Sequence, residues 1–498
     1  MSNTTINVII AFTLCLCLEF KTSSVCAEDL IPAMPGNAPN YWCTWSVQNY
    51  MFGQGATTLD AKELEGPRGA EYAGEAIKEQ NVFGRTGWAT TFLPRVRGDL
   101  YLMYDAGLCR NDSKLFLVDE RKFPFVAGLD GQNRLLKLNE RTRALGWRGV
   151  AVWCTHPATN EDAAITMMRW SRYASIGYWK IDCGDDDFTL MTFAARLCPG
   201  LILEHAAGSG PFNGDWQKEV GRFGKIQPDN QEAQCLEHSD VFRTYDVSPA
   251  LSFPTTLDRV ADVLRYENQH QVRALINAED EVYLAATLGC TMGIMRHPLI
   301  GLRPNDDPDP FFNCPRQCKR RMDEVVRALH WQRLAPPFGS YSSETNAAGQ
   351  PQARDMTEID DEILVDSWTF KRGETWLSDA IGKTVQQGAP ARVSRGLPLA
   401  EVHIQGGPPP FVIAGRFPNG AVAVAVQGRT TEGKSWIFTP TDVTVNVGAT
   451  RGPFGIFGRY HSLTLRFDAP LGNVRILAQD LAGKHAKDIT KKVAVNGN

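Results

Sequence analysis

Lys180 and Asp182 stand two residues apart in the stretch Tyr178-Trp179-Lys180-Ile181-Asp182-Cys183-Gly184. On a β-strand, residues i and i+2 project from the same face, so this spacing sets an ammonium beside a carboxylate. A carboxylate kept ionised by a neighbouring cation is suited to nucleophilic attack. The plain alternative is a structural ion pair at a strand end. A second carboxylate able to face the first lies in Phe242-Arg243-Thr244-Tyr245-Asp246. Taken alone, Asp246 reads more readily as a turn or helix-capping aspartate. As a pair, Asp182 and Asp246 are the equipment of glycoside hydrolysis: one carboxylate attacks or activates water, and the other, protonated, donates to the leaving oxygen. Asp240 and Glu237 are the alternatives for the second role. Around them, Lys180, Arg243, Asp105 and Glu204 are polar residues at strand ends; Lys180 could hydrogen-bond a sugar hydroxyl and Arg243 could orient substrate. Trp42, Trp45, Trp153 and Trp179 also fall at strand ends, where an indole face suits either a pyranose ring or the core.

Groups so far apart in sequence converge only on a scaffold that gathers strand ends. Short apolar runs at 41–46, 99–104, 149–154, 178–183, 200–204, 240–243, 272–276 and 290–295 read as strands. Helix-like stretches fall at 61–79, 132–145, 161–176, 187–197, 257–268 and 279–288. Alternation of this kind predicts an α/β fold, a parallel (β/α)8 barrel, with a doubly wound sheet as the rival. The barrel is favoured because Asp105, Asp182, Glu204 and Arg243 each close a strand, and barrel sites are built from the C-terminal strand ends. Residues 339–361 are polar and read as a linker or long loop. From 362 to 498 the pattern becomes short alternating runs with Gly and Pro turns, such as Ala421–Val426 and Ser462–Phe467, which predicts a C-terminal antiparallel β-sandwich. The catalytic barrel is thus expected over 28–338.

The chain has 498 residues, a net charge of −4 and a composition that is 43% hydrophobic and 22% charged. That balance offers no electrostatic case for nucleic acid. Ile6 to Leu18 is apolar, and Val25-Cys26-Ala27 resembles a small-residue cleavage site. Residues 1–27 are therefore expected to be a signal peptide, with a retained anchor as the alternative, and the protein to be secreted or periplasmic. No second long apolar run is present to span a membrane. Twelve cysteines include Cys15, Cys17 and Cys26 of that leader, leaving nine. Export would favour disulfides; Cys43 with Cys109, Cys154 with Cys183, and Cys314 with Cys318 are the candidate pairs, against buried thiols. Asn111-Asp112-Ser113 fits a glycosylation acceptor. The nine histidines are scattered without a zinc pattern, and Gly184-Asp185-Asp186-Asp187 reads as a helix N-terminus more readily than as a calcium loop. No metal or other cofactor is expected.

Tyr-Trp-Lys-Ile-Asp-Cys resembles the Tyr-x-Lys-x-Asp-x-Cys region of family 27 glycoside hydrolases, the α-galactosidases and α-N-acetylgalactosaminidases, which are related to family 36. The resemblance implies that Asp182 is the nucleophile of a retaining mechanism. Phe242-Arg243-Thr244-Tyr245-Asp246 is similar to the family's Trp-Arg-x-x-x-Asp segment, one residue shorter, and implies Asp246 as acid/base. Trp42-Cys43-Thr44-Trp45, Leu201-Ile202-Leu203-Glu204, and Glu279-Asp280-Glu281 through Leu299-Ile300-Gly301 resemble the first strand, the fifth strand, and the last helix and strand. Two departures bear on specificity. Asp105-Ala106-Gly107 stands where the family has Asp-Asp-Gly, and the family's Asp-Pro-Asp after strand seven is missing near Ile276-Asn277-Ala278. Losing a buried acceptor for a hydroxyl shifts discrimination strongly. A carbohydrate substrate ending in α-linked galactose is the expectation. An α-N-acetylgalactosaminide, a β-L-arabinopyranoside and a non-catalytic carbohydrate-binding role stay open.

Overall fold

The computed structural model describes residues 4–8, 14–20, 29–45, 47–48, 74–110, 115–155, 161–182, 189–206, 231–244, 252–272, 274–295, 315–339, 341–345, 351–353, 357–359, 391–430, 436–472 and 474–497. Asp246, Cys183, Cys314, Cys318, the Asn111 acceptor and the 184–187 aspartates lie outside them, as does the side chain of Asp182.

Eight parallel strands form one sheet: β1 (Asn40–Cys43), β2 (Leu100–Tyr104), β3 (Gly149–Thr155), β4 (Tyr178–Asp182), β5 (Ile202–Ala206), β6 (Val241–Arg243), β7 (Leu275–Asn277) and β8 (Gly293–Ile294). Their order is β8-β1-β2-β3-β4-β5-β6-β7. An isolated parallel bridge between Asn277 and Thr291, two residues ahead of β8, brings the two outer members together, so the sheet is nearly closed. Helices Gly131–Ala144, Glu161–Ala174, Thr189–Leu197, Gln231–Glu237, Ser252–His270 and Val282–Leu288 fall between successive strands. This is the expected (β/α)8 barrel. Alternation along each strand sorts the side chains. Trp42 and Trp179 turn outward: Trp42 packs edge-on against Phe92, and the Trp179 indole donates to Ser171 Oγ at 3.0 Å. Tyr41, Tyr101 and Tyr178 turn inward, with ring centroids of 5.4 Å for Tyr41–Tyr178 and 5.8 Å for Tyr101–Tyr178. Tyrosines fill the barrel where Val, Ile and Leu are usual, and their hydroxyls need buried partners.

Beyond the barrel, two mixed sheets face each other. The larger runs in the order 357–359, 391–395, 411–416, 422–427, 454–458, 14–20, 474–479, 487–488; the smaller runs 401–404, 441–448, 462–467, 4–8, 494–497. Strands 4–8 and 14–20 belong to the segment read above as a leader, and a chain processed after Ala27 would lack them. The sandwich corrects the expectation of purely antiparallel pairing. Strand 422–427 pairs in parallel with 454–458, and 441–448 with 462–467. The chain crosses to the opposite sheet and returns running the same way, which leaves same-sheet neighbours parallel.

Alternation in Ala421-Val422-Ala423-Val424-Ala425-Val426 has a plain cause. The valines pack with Val412, Val443, Val445 and Leu465 between the sheets. The alanines share the barrel's own core with Trp331, Phe411, Ile413 and Phe457. The larger sheet is therefore buried on both faces, and its small face lets barrel helices Val282–Leu288 and Pro315–Leu334 lie directly on it. At Gly415 an added Cβ would sit 2.0 Å from the Thr287 carbonyl oxygen.

Candidate active site

The C-terminal strand ends bring two candidate site residues, Lys180 and Asp105, into contact with each other and with Cys43 at the barrel mouth. Lys180 of β4 reaches across to Asp105, just past β2, with Nζ 2.8 Å from Oδ2. Cys43, at the end of β1, donates its thiol to the same Oδ2 at 3.1 Å. Asp105 is also fixed from its own side: Oδ1 accepts from the Ala106 amide, and its backbone amide donates to Thr44 Oγ1. Lys180 and Asp105 are only 2% and 3% exposed, so each compensates the other's buried charge. Burial first, and then the Asp105 charge, push the Cys43 thiol well above its usual range. It stays protonated and acts as a donor.

That orientation overturns one expected disulfide. Cys43 and Cys109 are both free thiols. Cys43 points into the barrel at Asp105, whereas Cys109 bridges to Val118 and packs against the outer core. Cys154 is buried at the end of β3, and its proposed partner Cys183 lies outside the described residues.

Below this contact Glu204 organises a second group. Its Oε1 accepts from Tyr41 OH at 2.9 Å, and its Oε2 accepts from Tyr178 OH at 2.6 Å and Asn277 Nδ2 at 2.7 Å. Burial, with the Glu204 charge second, holds the Tyr41 and Tyr178 phenols far above their usual range, so both remain donors. Asn277 Oδ1 accepts in turn from the amides of Glu279 and Gly293 at 2.8 and 2.7 Å. Gly293 is the small residue this packing needs, since a Cβ there would fall 2.4 Å from the Tyr41 hydroxyl. Arg243 lies between two carboxylates, with Nε 3.6 Å from Glu204 Oε1 and Nη1 3.3 Å from Glu279 Oε1. Glu204 is wholly buried and bonded through both oxygens, which gives it the task of holding Arg243 and the tyrosines.

The remaining candidates separate by position. Trp45 and Trp153 are half-buried and pack against the inner barrel cluster at its rim, and Trp153 pairs in register with Lys180. Asp182 ends β4, opposite Thr155 of β3. Of the alternatives to Asp246, Asp240 accepts the Leu203 amide at 2.9 Å and burial raises its carboxyl; Glu237 accepts from Tyr266 OH. Both tie elements together outside the mouth.

Two carboxylates absent from the sequence-based site emerge from the geometry. Glu279 pairs with Arg243, and Asp280 Oδ1 accepts the Met295 amide at 2.8 Å. They follow β7, where the sequence reading looked for Asp-Pro-Asp and found none; an acid one position further along was the available signal. Among the described residues there is no cluster of three or more His, Cys, Asp or Glu placed to hold a metal ion, and no helix long and apolar enough to cross a membrane.

No family model matches the chain, and no curated protein matches it. Solved structures similar to it are distant. An endocellulase from Pyrococcus horikoshii, complexed with cellotetraose, is similar over 46% of this chain and 82% of its own, at 10% identity and a TM-score of 0.29. Pyruvate carboxylase from Rhizobium etli is similar over 63% of this chain at 13% identity and a TM-score of 0.29, and this chain spans only 32% of that one. The carboxyl transferase domain of the same enzyme is similar over 66% of this chain and 56% of its own, at 11% identity and a TM-score of 0.28.

Proposed function

We propose that the protein is an exported retaining glycoside hydrolase that removes terminal α-linked, galactose-type sugars. The observation that carries this reading is the contact of Lys180 with Asp105 at the mouth of a nearly closed barrel, Lys180 standing two residues before Asp182 on the same strand. Residues two apart on a strand share a face, and that spacing is the reason for reading Asp182 together with Lys180. In this reading Asp182 attacks C1, the bond from C1 to the leaving oxygen breaks, and Asp246 gives that oxygen its proton. Water then attacks the glycosyl-enzyme, Asp246 takes the water's proton, and the ester to Asp182 is released.

Among the described residues at this end of the barrel, Asp105, Glu204, Glu279 and Asp280 are buried together with Lys180 and Arg243. Lys180, Arg243 and Asp105 orient the sugar, Glu204 holds Arg243, and Trp45 and Trp153 offer the rim an apolar surface for a pyranose face.

Asp182→Asn, with folding intact, is expected to abolish turnover of an aryl α-galactoside; unchanged turnover would remove Asp182 as nucleophile. A panel of aryl glycosides separates the galactose reading from an α-N-acetylgalactosaminide or a β-L-arabinopyranoside. Binding across that panel with no turnover would instead identify a non-catalytic carbohydrate-binding protein.

A further inference from the structure

Glu279 is held in a conformation its side chain does not favour. Its φ is +47°, in the left-handed region, yet it is a long charged residue only 1% exposed. Backbone outliers of this kind persist where surrounding contacts over-determine them, and they gather at functional sites. Here the contacts are specific. The Glu279 amide donates to Asn277 Oδ1 at 2.8 Å, and its carboxylate accepts from Arg243 Nη1 at 3.3 Å. The same Asn277 donates to Glu204, the other carboxylate on Arg243. One amide side chain therefore sets the spacing of two carboxylates that grip one guanidinium from β5 and from the turn after β7.

We infer that Glu279 is a positioning residue for Arg243, and that the left-handed turn exists to bring its carboxylate to that guanidinium. The inference rests on Arg243 binding the sugar, as proposed above. Glu204 is locked by Tyr41, Tyr178 and Asn277 and supplies a fixed wall; Glu279 supplies the second contact that sets the rotation of the guanidinium plane. An arginine held at two points presents its donors in one orientation, which is how it selects a particular hydroxyl arrangement. Without Glu279 the cation stays, but it loses this contact.

The test compares Glu279→Gln, Glu279→Asp and Glu279→Gly in the full-length protein. Affinity is read twice, as KM on whichever aryl glycoside the wild type cleaves and as calorimetric Kd for the corresponding free sugar. Glu279→Gln is expected to raise KM and Kd about tenfold while kcat changes less than about threefold. Glu279→Asp should recover part of the loss. Glu279→Gly relieves the left-handed backbone, so it should melt no lower than Glu279→Gln yet bind as weakly. An active wild type with Gln and Gly variants of unaltered KM and Kd overturns the inference and leaves the glycosidase reading standing. Weakening that follows melting temperature across the three variants, with no recovery by Asp, also overturns it. A wild type that neither binds nor cleaves any sugar of the panel removes the glycosidase reading and this inference together.

Discussion

Lys180 and Asp105 show how much one contact at the barrel mouth decides. Each is nearly excluded from water and lies 2.8 Å from the other, so truncating either leaves a buried charge without its partner. Lys180→Met is expected to cost about 3–5 kcal/mol in urea unfolding, and pairing it with Asp105→Leu should recover much of that loss. A double-variant loss equal to the sum of the two single losses would mean that the two charges are not coupled. A second residue sets a pH response. Ser239 donates its one hydroxyl proton to the Cys235 carbonyl, so His205 Nδ1 must be the donor in its 2.8 Å contact with Ser239 Oγ. Burial lowers the His205 pKa from 6.5 to about 4. Its folded state is neutral, and the unfolded chain takes up the proton first. Stability from this group is therefore complete above pH 6.5 and is lost as pH falls towards 4, by roughly 3 kcal/mol. His205→Gln should flatten that part of an acid-unfolding profile; an unchanged slope would contradict it. Residue types and strand ends were readable in the sequence: Lys180 meets Asp105, and Arg243 meets Glu204. Their pairing was not readable. The i, i+2 rule sees Asp182 beside Lys180, but it cannot see Asp105, which lies 75 residues away in sequence. Glu279 escaped because its segment reads as the start of a helix, whereas the observed helix begins at Val282.

At the scale of elements, the sheet that backs the barrel depends on small side chains facing one way. Gly415 lies against Thr287 of helix Val282–Leu288, and Trp331 of helix Pro315–Leu334 packs on Phe417 and Phe457. Gly415→Val should force sheet and helix apart at a cost of about 1–3 kcal/mol, and Trp331→Ala should leave a cavity costing about 3–5 kcal/mol. Denaturant midpoints measure both; a neutral Gly415→Val would mean that the sheet yields. All eight barrel strands were visible as apolar runs because parallel strands are buried on both faces. Helix Pro315–Leu334 was not, since its opening Pro-Arg-Gln-Cys-Lys-Arg-Arg carries no apolar period. The parallel sandwich pairs were hidden for a different reason. Alternation reveals which face of a strand is buried but not the direction of its neighbour.

Over the whole molecule, one hydrophobic core runs from the barrel wall through Trp331 into Phe411, Ala423 and Phe457 of the larger sheet. Polar contacts cross the same boundary: Arg395 Nη2 donates to the Phe338 carbonyl, Arg327 pairs with Asp480, and Asn419 donates to Leu334. Barrel and sandwich should therefore unfold in a single transition, and a chain ending at 338 should lose the barrel rather than liberate it. Two separated calorimetric transitions would contradict that. The central claim, a covalent intermediate on Asp182, is tested most directly by incubating the full-length protein with a fluorinated galactosyl fluoride that forms the glycosyl-enzyme faster than it is hydrolysed. Mass spectrometry of the digested protein should find one sugar on the peptide containing Asp182 and none after Asp182→Asn. Active enzyme labelled at another residue, or turning over with no label at all, would contradict it.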